Sequence, residues 1–180
     1  MGKIVKSKKR VYVDLDGVLA DFNQGIKNMS GQDPKDLSEE AQWKIVNESP
    51  SFWVDLPVMH GAVQLMQFLS HHEHVMILSS PGTKGAPRAR KQKLDWIRNR
   101  AMGGFLVAPG GGPIPLILRR GKHKAEYAWP DAILIDDTEE NIKRWIDKGG
   151  IGILHTKAAL TIASLSKLKL FEEVDEFTGE

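Results

Sequence analysis

Two aspartates separated by one residue close a short apolar run in Val11-Tyr12-Val13-Asp14-Leu15-Asp16-Gly17-Val18-Leu19-Ala20-Asp21-Phe22. A second acidic pair ends another apolar run, Ile133-Leu134-Ile135-Asp136-Asp137, about 120 residues later. Carboxylates at the mouths of buried strands repel one another and are costly to bury unless a cation joins them. Hard oxygen donors of this kind suit Mg²⁺. The two pairs together predict a magnesium site that handles phosphate, with Asp14, Asp16, Asp136 and Asp137 as candidate ligands.

Each residue in these runs has a chemical reading. Asp14 can present one carboxylate oxygen to phosphorus and the other to the metal, which polarises the phosphoryl oxygens and offsets the repulsion between two anions. Attack by Asp14 gives an aspartyl-phosphate and splits one hydrolysis into two easier steps. Asp16 is placed to give a proton to the leaving alkoxide and later to take one from water. Gly17 lets the backbone turn sharply beside the site. In Met76-Ile77-Leu78-Ser79-Ser80-Pro81 the serines offer hydroxyls and free backbone N–H groups to a phosphoryl oxygen without adding charge. A cation should neutralise the transferred group. Lys93, Lys122 and Lys124 are candidates, with Lys124 favoured because it leads into the Asp136 strand. Of Asp136 and Asp137, one should ligate the metal and the other hold a metal-bound water or the lysine. Asn141, about one helical turn beyond Asp137, is placed to orient that shell.

Those residues must be held by strands and helices. Val11–Val13, Val75–Leu78, Ile133–Ile135 and Ile151–Leu154 read as buried strands, and Leu116–Leu118 as a fifth. Between them Ala62, Leu65, Met66 and Leu69 share a helical face, as do Leu94 and Ile97 with Trp96, and Ile142 and Trp145 with Ile146 before Gly149-Gly150. Alternating strands and helices predict an α/β three-layer sandwich around a central parallel sheet. In such sheets ligands bind outside the carboxyl ends of the strands, where Asp14, Ser79 and Asp136 all fall. Residues 23–57 are polar, carry Trp43, Phe52 and Trp53, and read as a small helical cap inserted after the first strand. The expected division is a basic N-terminal tail over 1–9, a core over 10–22 and 58–165, the cap over 23–57, and a C-terminal tail over 166–180. Gly103–Pro115, with five glycines and three prolines, reads as a mobile loop that lacks the Lys-Ser/Thr of a P-loop.

Composition sets wider bounds. The 180 residues suffice for one well-buried domain, and 41% hydrophobic with 27% charged residues is ordinary for a globular protein. A net charge of +2 creates no global field that demands nucleic acid. The basic cluster Lys3, Lys6, Lys8, Lys9 and Arg10 has no interleaved aromatics and reads as a solvated tail. The absence of cysteine excludes disulfides and thiolate catalysis. No apolar run approaches a membrane span or a signal peptide, so the cytoplasm is the default compartment.

The stretches Asp14-Leu15-Asp16-Gly17-Val18-Leu19-Ala20-Asp21-Phe22 and Ile77-Leu78-Ser79-Ser80-Pro81, a following lysine, and Leu134-Ile135-Asp136-Asp137 resemble the four motifs of the haloacid dehalogenase (HAD) phosphatase superfamily. Within it the chain most resembles the 5'(3')-deoxyribonucleotidases, through Gly17–Phe22, through Ser51-Phe52-Trp53-Val54-Asp55-Leu56-Pro57-Val58-Met59-His60-Gly61-Ala62, and through Ser80-Pro81. The resemblance runs from residue 11 to about 154. It implies a HAD-like (Rossmannoid) fold and a magnesium-dependent phosphomonoesterase acting on nucleoside monophosphates, deoxy ones foremost. Asp14 matches the nucleophile, Asp16 the acid/base, and Ser79 the phosphate-binding hydroxyl, which is usually threonine. Asp137 matches the directly ligated aspartate, with Asp136 in support and the Asp16 carbonyl as a further ligand. The family's aromatic base pocket maps onto Phe22, Phe52 and Trp53. Substrate contacts are thus expected from Ser79, Ser80, Lys124, Phe22, Phe52 and Trp53, with a small-molecule nucleotide as partner, no membrane, and a homodimer as an open arrangement. The glycine-rich stretch running into Arg119, Arg120, Lys122, His123 and Lys124 departs from the family pattern and suits a larger or more anionic substrate. That makes a 3'-phosphatase on nucleic-acid ends the rival reading. A HAD phosphatase for another small phosphometabolite is a further one, and a non-catalytic phosphate-binding module the least favoured.

Overall fold

The computed structural model describes residues 3–6, 9–72, 74–82, 86–99, 114–168 and 170–174, with backbone only for 3–6, 86–87 and 171–174. The chain runs β1 (Lys3–Lys6), β2 (Arg10–Val13), α1 (Phe22–Ser30), α2 (Glu39–Glu48), α3 (Ala62–Leu69), β3 (Val75–Ser79), α4 (Ala86–Asn99), β4 (Leu116–Leu118), α5 (Gly121–Lys124), β5 (Ala132–Asp136), α6 (Glu139–Asp147), β6 (Ile151–Leu154), α7 (Ala158–Lys167) and β7 (Phe171–Val174). Five strands form one parallel sheet in the order β4-β3-β2-β5-β6. The chain lays β3 and β4 to one side of β2 and then crosses to β5 and β6 on the other. Its direction therefore reverses between β2 and β5, the place where open α/β sheets bind ligands.

The apolar runs become strands because both faces of the sheet are covered. Val11 and Val13 point with Ile77, Ile133 and Ile135 into a large core completed by Leu65, Met66 and Leu69 of α3, Trp96 and Ile97 of α4 and Leu165 of α7. Tyr12, Leu78 and Leu134 point the other way, onto Ile142 and Trp145 of α6. This is the α/β/α sandwich expected from the sequence. Each of the five sheet strands lies where its apolar run predicts.

The inserted segment is stitched to the core by α4. Ile26, Val46, Phe52, Trp53 and Leu56 join the large core. On α4, Arg88 donates to the carbonyls of Asn47 (2.7 Å) and Val46 (3.4 Å), Gln92 donates to the Pro50 carbonyl and accepts from the Trp53 N–H (3.0 Å), and Trp96 donates to the Leu56 carbonyl (2.8 Å). These residues recur every four positions, so one helical face grips the insertion.

The basic N-terminal stretch differs from a simple solvated tail. Lys3–Lys6 pairs antiparallel with Phe171–Val174 as a separate two-stranded ribbon. The backbone ladder needs no apolar side chains, which is why a lysine-rich run can join it. The expected loop Gly103–Pro115 lies outside the described residues except for Ile114 and Pro115, and so does the acidic end 175–180. Among the described residues no helix is long and apolar enough to cross a membrane. Trp96, fully buried between the sheet and the insertion, should be the most sensitive point of this packing. Trp96→Ala should lower unfolding free energy by about 3–5 kcal/mol in denaturant titrations.

Candidate active site

Asp14 is the first residue past β2, and its N–H donates to the Ile135 carbonyl (2.9 Å), one residue before Asp136. This bond sets the two acidic motifs side by side. The Asp14 carboxylate also accepts from the Leu15 N–H (2.7 Å) and is almost completely buried. The chain then turns tightly, with Leu19 and Ala20 both donating to the Leu15 carbonyl (2.8 Å each). At the centre of the turn Gly17 has φ +77°, and a Cβ there would collide with the Asp137 carboxylate. Glycine is required on both counts.

Two buried lysines enter from opposite sides. Lys124, at the end of α5, places its Nζ 2.7 Å from both Asp14 Oδ2 and Asp136 Oδ2. Asp136 has both oxygens engaged: the Thr138 N–H donates to Oδ1 (2.9 Å) and Asn141 Nδ2 donates to Oδ1 and Oδ2 (3.1 and 3.2 Å). Asp137 receives a weak bond from the Thr138 hydroxyl (3.4 Å) and is otherwise open to a ligand. Lys93, from α4, donates to Asp16 Oδ2, to Ser79 Oγ (2.8 Å) and to the Ser80 carbonyl (2.9 Å), while its Nζ sits 4.1 Å from the centre of the Trp53 ring. Asp16 Oδ1 is buried without a hydrogen-bond partner among the described residues.

The charge balance of this cluster is unequal. Asp14, Asp16, Asp136 and Asp137 bring four negative charges against two positive ones from Lys93 and Lys124, a deficit of two that one divalent cation cancels. Burial pushes the Asp14 carboxyl up to about 7; Lys124 opposes the rise, and Asp136 and Asp16 add to it. Burial likewise lifts Asp137 to about 6, with Asp136 adding to the effect and Lys124 opposing it. For Lys124 burial favours the neutral amine, but Asp14 and Asp136 outweigh it and hold the ammonium above its ordinary value. Single oxygens of Asp14, Asp136 and Asp137 lie within 4.8 Å of one another. Opposite ligands around one magnesium ion are about 4 Å apart, so the donor set fits a hard divalent cation.

These groups floor a cleft of about 260 Å³. Its far wall is aromatic, built by Phe22, Trp43 and Trp53, with ring centroids 5.8–6.4 Å apart. Of the residues expected here, Asp14, Asp16, Ser80, Lys124, Asp137, Phe22 and Trp53 line the cleft. Ser79 and Asp136 lie just behind it, fully buried, Ser79 bonded to Lys93 and Asp136 to Lys124 and Asn141. Phe52 differs from expectation. It is buried in the core, edge-on beneath Phe22 and Trp53 at 5.3 and 5.2 Å, and does not line the cleft. Trp43 takes the wall position instead, because α2 lays it over Gly82, where a Cβ would press against its ring.

The third-motif lysine also resolves differently from a choice of one. Lys93 and Lys124 both reach the carboxylates, and Lys122 is exposed on α5. Lys93 carried a signal in the sequence. Ala89, Gln92, Lys93, Trp96 and Ile97 are the buried positions of α4 and follow the i, i+3, i+4, i+7, i+8 rule, so a lysine stands on a buried stripe. A buried lysine needs a partner.

No family model matches the chain, and no curated protein does. Solved structures do. The chain is similar to a haloacid dehalogenase-like hydrolase from Streptococcus pneumoniae (16% identity, TM-score 0.55, 87% of this chain and 98% of that one). It is also similar to a HAD family hydrolase from Deinococcus radiodurans with bound phosphate and sodium (12%, TM-score 0.56, 92% and 98%) and to a HAD-superfamily hydrolase from Ehrlichia chaffeensis (15%, TM-score 0.53, 91% and 98%). The fold of the chain is that of HAD-like hydrolases.

The raised carboxyls give a pH dependence of defined sign. Asp14 and Asp137 bind protons more readily in the folded state than at their ordinary value of 3.8, so their contribution to stability is full below pH 4 and is lost as pH rises through 6 and 7. Metal-free protein should therefore lose stability relative to an Asp14→Asn variant between pH 4 and 7 in thermal melts. Added Mg²⁺ should restore the wild type more than the variant. A wild-type/variant difference independent of pH would contradict this.

Proposed function

We propose that the chain is a magnesium-dependent phosphomonoesterase that dephosphorylates nucleoside monophosphates, deoxynucleotides foremost. The observation that carries this reading is the Asp14 carboxylate: buried beside Lys124, among carboxylates short of positive charge, and facing a cleft whose opposite wall is aromatic. The phosphate bound in the similar D. radiodurans hydrolase supports it. Asp137, Asp14 and the Asp16 carbonyl would hold the metal, with Asp136 spent on Lys124 and Asn141. When bound, Mg²⁺ supplies charge neutralisation and polarises the phosphoryl oxygens.

The chain's own groups do the rest. One Asp14 oxygen attacks phosphorus, forming the Asp14 O–P bond as the ester P–O bond breaks. Asp16, steered by Lys93 and Ser79, protonates the leaving oxygen; it then takes a proton from the water that cleaves the aspartyl-phosphate. Lys124 holds the nucleophile in line and balances the phosphoryl charge, while Ser80 offers its N–H and hydroxyl to the phosphoryl oxygens. Phe22, Trp43 and Trp53 present rings to a base, and stacking of this kind tolerates any base.

The rival substrate, a phosphorylated nucleic-acid end, has one observation in its favour. Arg120 and Lys122 are exposed beside Gly121, which packs against Asn141 at the edge of the cleft. Salt-sensitive binding of 3'-phosphorylated oligonucleotides would select it.

A panel of phosphomonoesters with and without Mg²⁺ tests the main reading: dNMPs should be hydrolysed only with the metal. Asp14→Asn should reduce kcat at least about a thousandfold. Retained activity in that variant overturns the assignment. Trp43→Ala should raise KM for nucleotides by about tenfold, the value of one stacked base, and leave a small non-aromatic phosphomonoester unaffected.

A further inference from the structure

Asp21 stands where the floor of the cleft gives way to its wall. The chain leaves the carboxylates through the Gly17 turn, and Phe22, the first ring of the wall, directly follows Asp21. The position of Asp21 is fixed on three counts. Its N–H donates to the Pro57 carbonyl (2.8 Å), its carbonyl accepts from the Gly25 N–H (3.0 Å), and its Oδ1 accepts from the Gln24 N–H (2.9 Å). The last bond caps α1 and occupies one carboxylate oxygen. Oδ2 has no partner among the described residues, so the half-buried side chain, which lines the cleft, keeps an acceptor for a ligand.

The charge balance sets this carboxylate apart. Lys93, Lys124 and one divalent cation offset Asp14, Asp16, Asp136 and Asp137, and Asp21 is a fifth carboxylate outside that balance. Among the described residues Lys124 is the one cation lining the cleft, and Asp14 and Asp136 hold it. Asp21 also lines a neighbouring hollow with Lys27, Asp33 and Lys35, but among the described residues it forms no ion pair there. Capping a helix does not itself require a charge, since the neutral Ser38 caps α2. A carboxylate with a free oxygen at this place favours a neutral hydrogen-bond donor and repels an anion.

We propose that Asp21 sets specificity by accepting a hydrogen bond from a free sugar hydroxyl of the substrate and by repelling a phosphate carried on that same hydroxyl. The inference rests on the nucleotidase reading. In a nucleoside monophosphate the sugar lies between phosphate and base, as Asp21 stands in the chain between the Gly17 turn and the Phe22 ring. One side chain thus separates nucleoside monophosphates from bisphosphates, and from nucleic-acid ends in which that hydroxyl is esterified.

Titration calorimetry with Mg²⁺ on the full-length Asp14→Asn protein, which lacks the nucleophile, tests this. The ligands are deoxyadenosine 5'-monophosphate, deoxyadenosine 3',5'-bisphosphate and 2',3'-dideoxyadenosine 5'-monophosphate, each repeated with Asp21→Asn or Asp21→Ser added. Both substitutions retain a residue type that caps helices, so α1 should stay intact in thermal melts. With Asp21 present, the deoxy monophosphate should bind about tenfold or more tightly than either of the others. Asp21→Asn removes the charge and should close the gap to the bisphosphate. Asp21→Ser also withdraws the acceptor and should close both gaps. Absence of either gap with Asp21 present, a gap that survives in Asp21→Ser, or no binding of the monophosphate overturns the assignment. Wild-type hydrolysis of deoxyadenosine 5'-monophosphate with Mg²⁺ tests the parent reading separately: turnover without the gaps would sink the role of Asp21 alone.

Discussion

Four carboxylates crowd the mouths of two adjacent parallel strands, and the surrounding structure exists to make that arrangement tolerable. Isolated buried charge costs several kcal/mol per ion even after relaxation. The chain meets part of that cost with Lys93 and Lys124 and with the amide of Asn141. The remaining deficit cannot be met by protein groups without filling the cleft. An unmet charge next to an open cavity is therefore a built-in affinity for a cation. Gly17 and Gly121 follow from the same constraint, for both let backbone approach the acidic cluster where any side chain would strike Asp137 or Asn141.

Helix α4 connects this electrostatic centre to the insertion. Arg88, Gln92 and Trp96 hold the carbonyls and amides of residues 46–56, while Lys93, one position along, holds Asp16 and Ser79. The aromatic wall and Asp16 are thus braced by a single rigid element. Lys93 lies against the Trp53 ring and bonds Asp16, so wall and floor meet at one side chain. The insertion shares its apolar residues with the main core, so wall and floor form one packed unit.

The strands were legible because each is a short apolar run with both faces buried; apolar spacing marked the sheet's helices but not every buried face, for α3 buries Ala62, Leu65, Met66 and Leu69 as expected, whereas Leu94 of α4 is only half-buried and Ile146 of α6 is exposed. The acidic motifs were legible because carboxylates at strand ends have few structural uses. Other features lay beyond pattern. Gln92 and Lys93 break the apolar stripe of α4, so residue type alone hides its buried face and only the helical spacing signals the buried lysine. Phe52 and Trp53 are adjacent and equally aromatic, and which ring faces the cleft depends on the course of the backbone after α2. Trp43 is close to neither in sequence, and its place on the wall follows from the packing of α2 over Gly82. The ribbon of Lys3–Lys6 with Phe171–Val174 joins the two ends of the chain through backbone bonds, which leave little trace in side-chain composition.

Burial also divides labour between the two aspartates of the first motif. Asp14 is sealed against Lys124, so its carboxylate is fixed in direction, whereas the Asp16 side chain is about one-fifth exposed and is tied at one oxygen to Lys93. The proposed mechanism uses this difference: the fixed carboxylate would attack phosphorus and the one held at a single oxygen would carry the proton. The same strand end supplies both because successive residues leave it in different directions: Asp14 continues the strand toward β5, and Asp16 is carried by the Gly17 turn toward β3 and α4. The fold, shared with hydrolases of 11–16% identity, accounts for this division but not for the choice of substrate. What distinguishes this chain's cleft beyond the fold is the set of rings that the segment after β2 lays over the carboxylates: Phe22, Trp43 and Trp53.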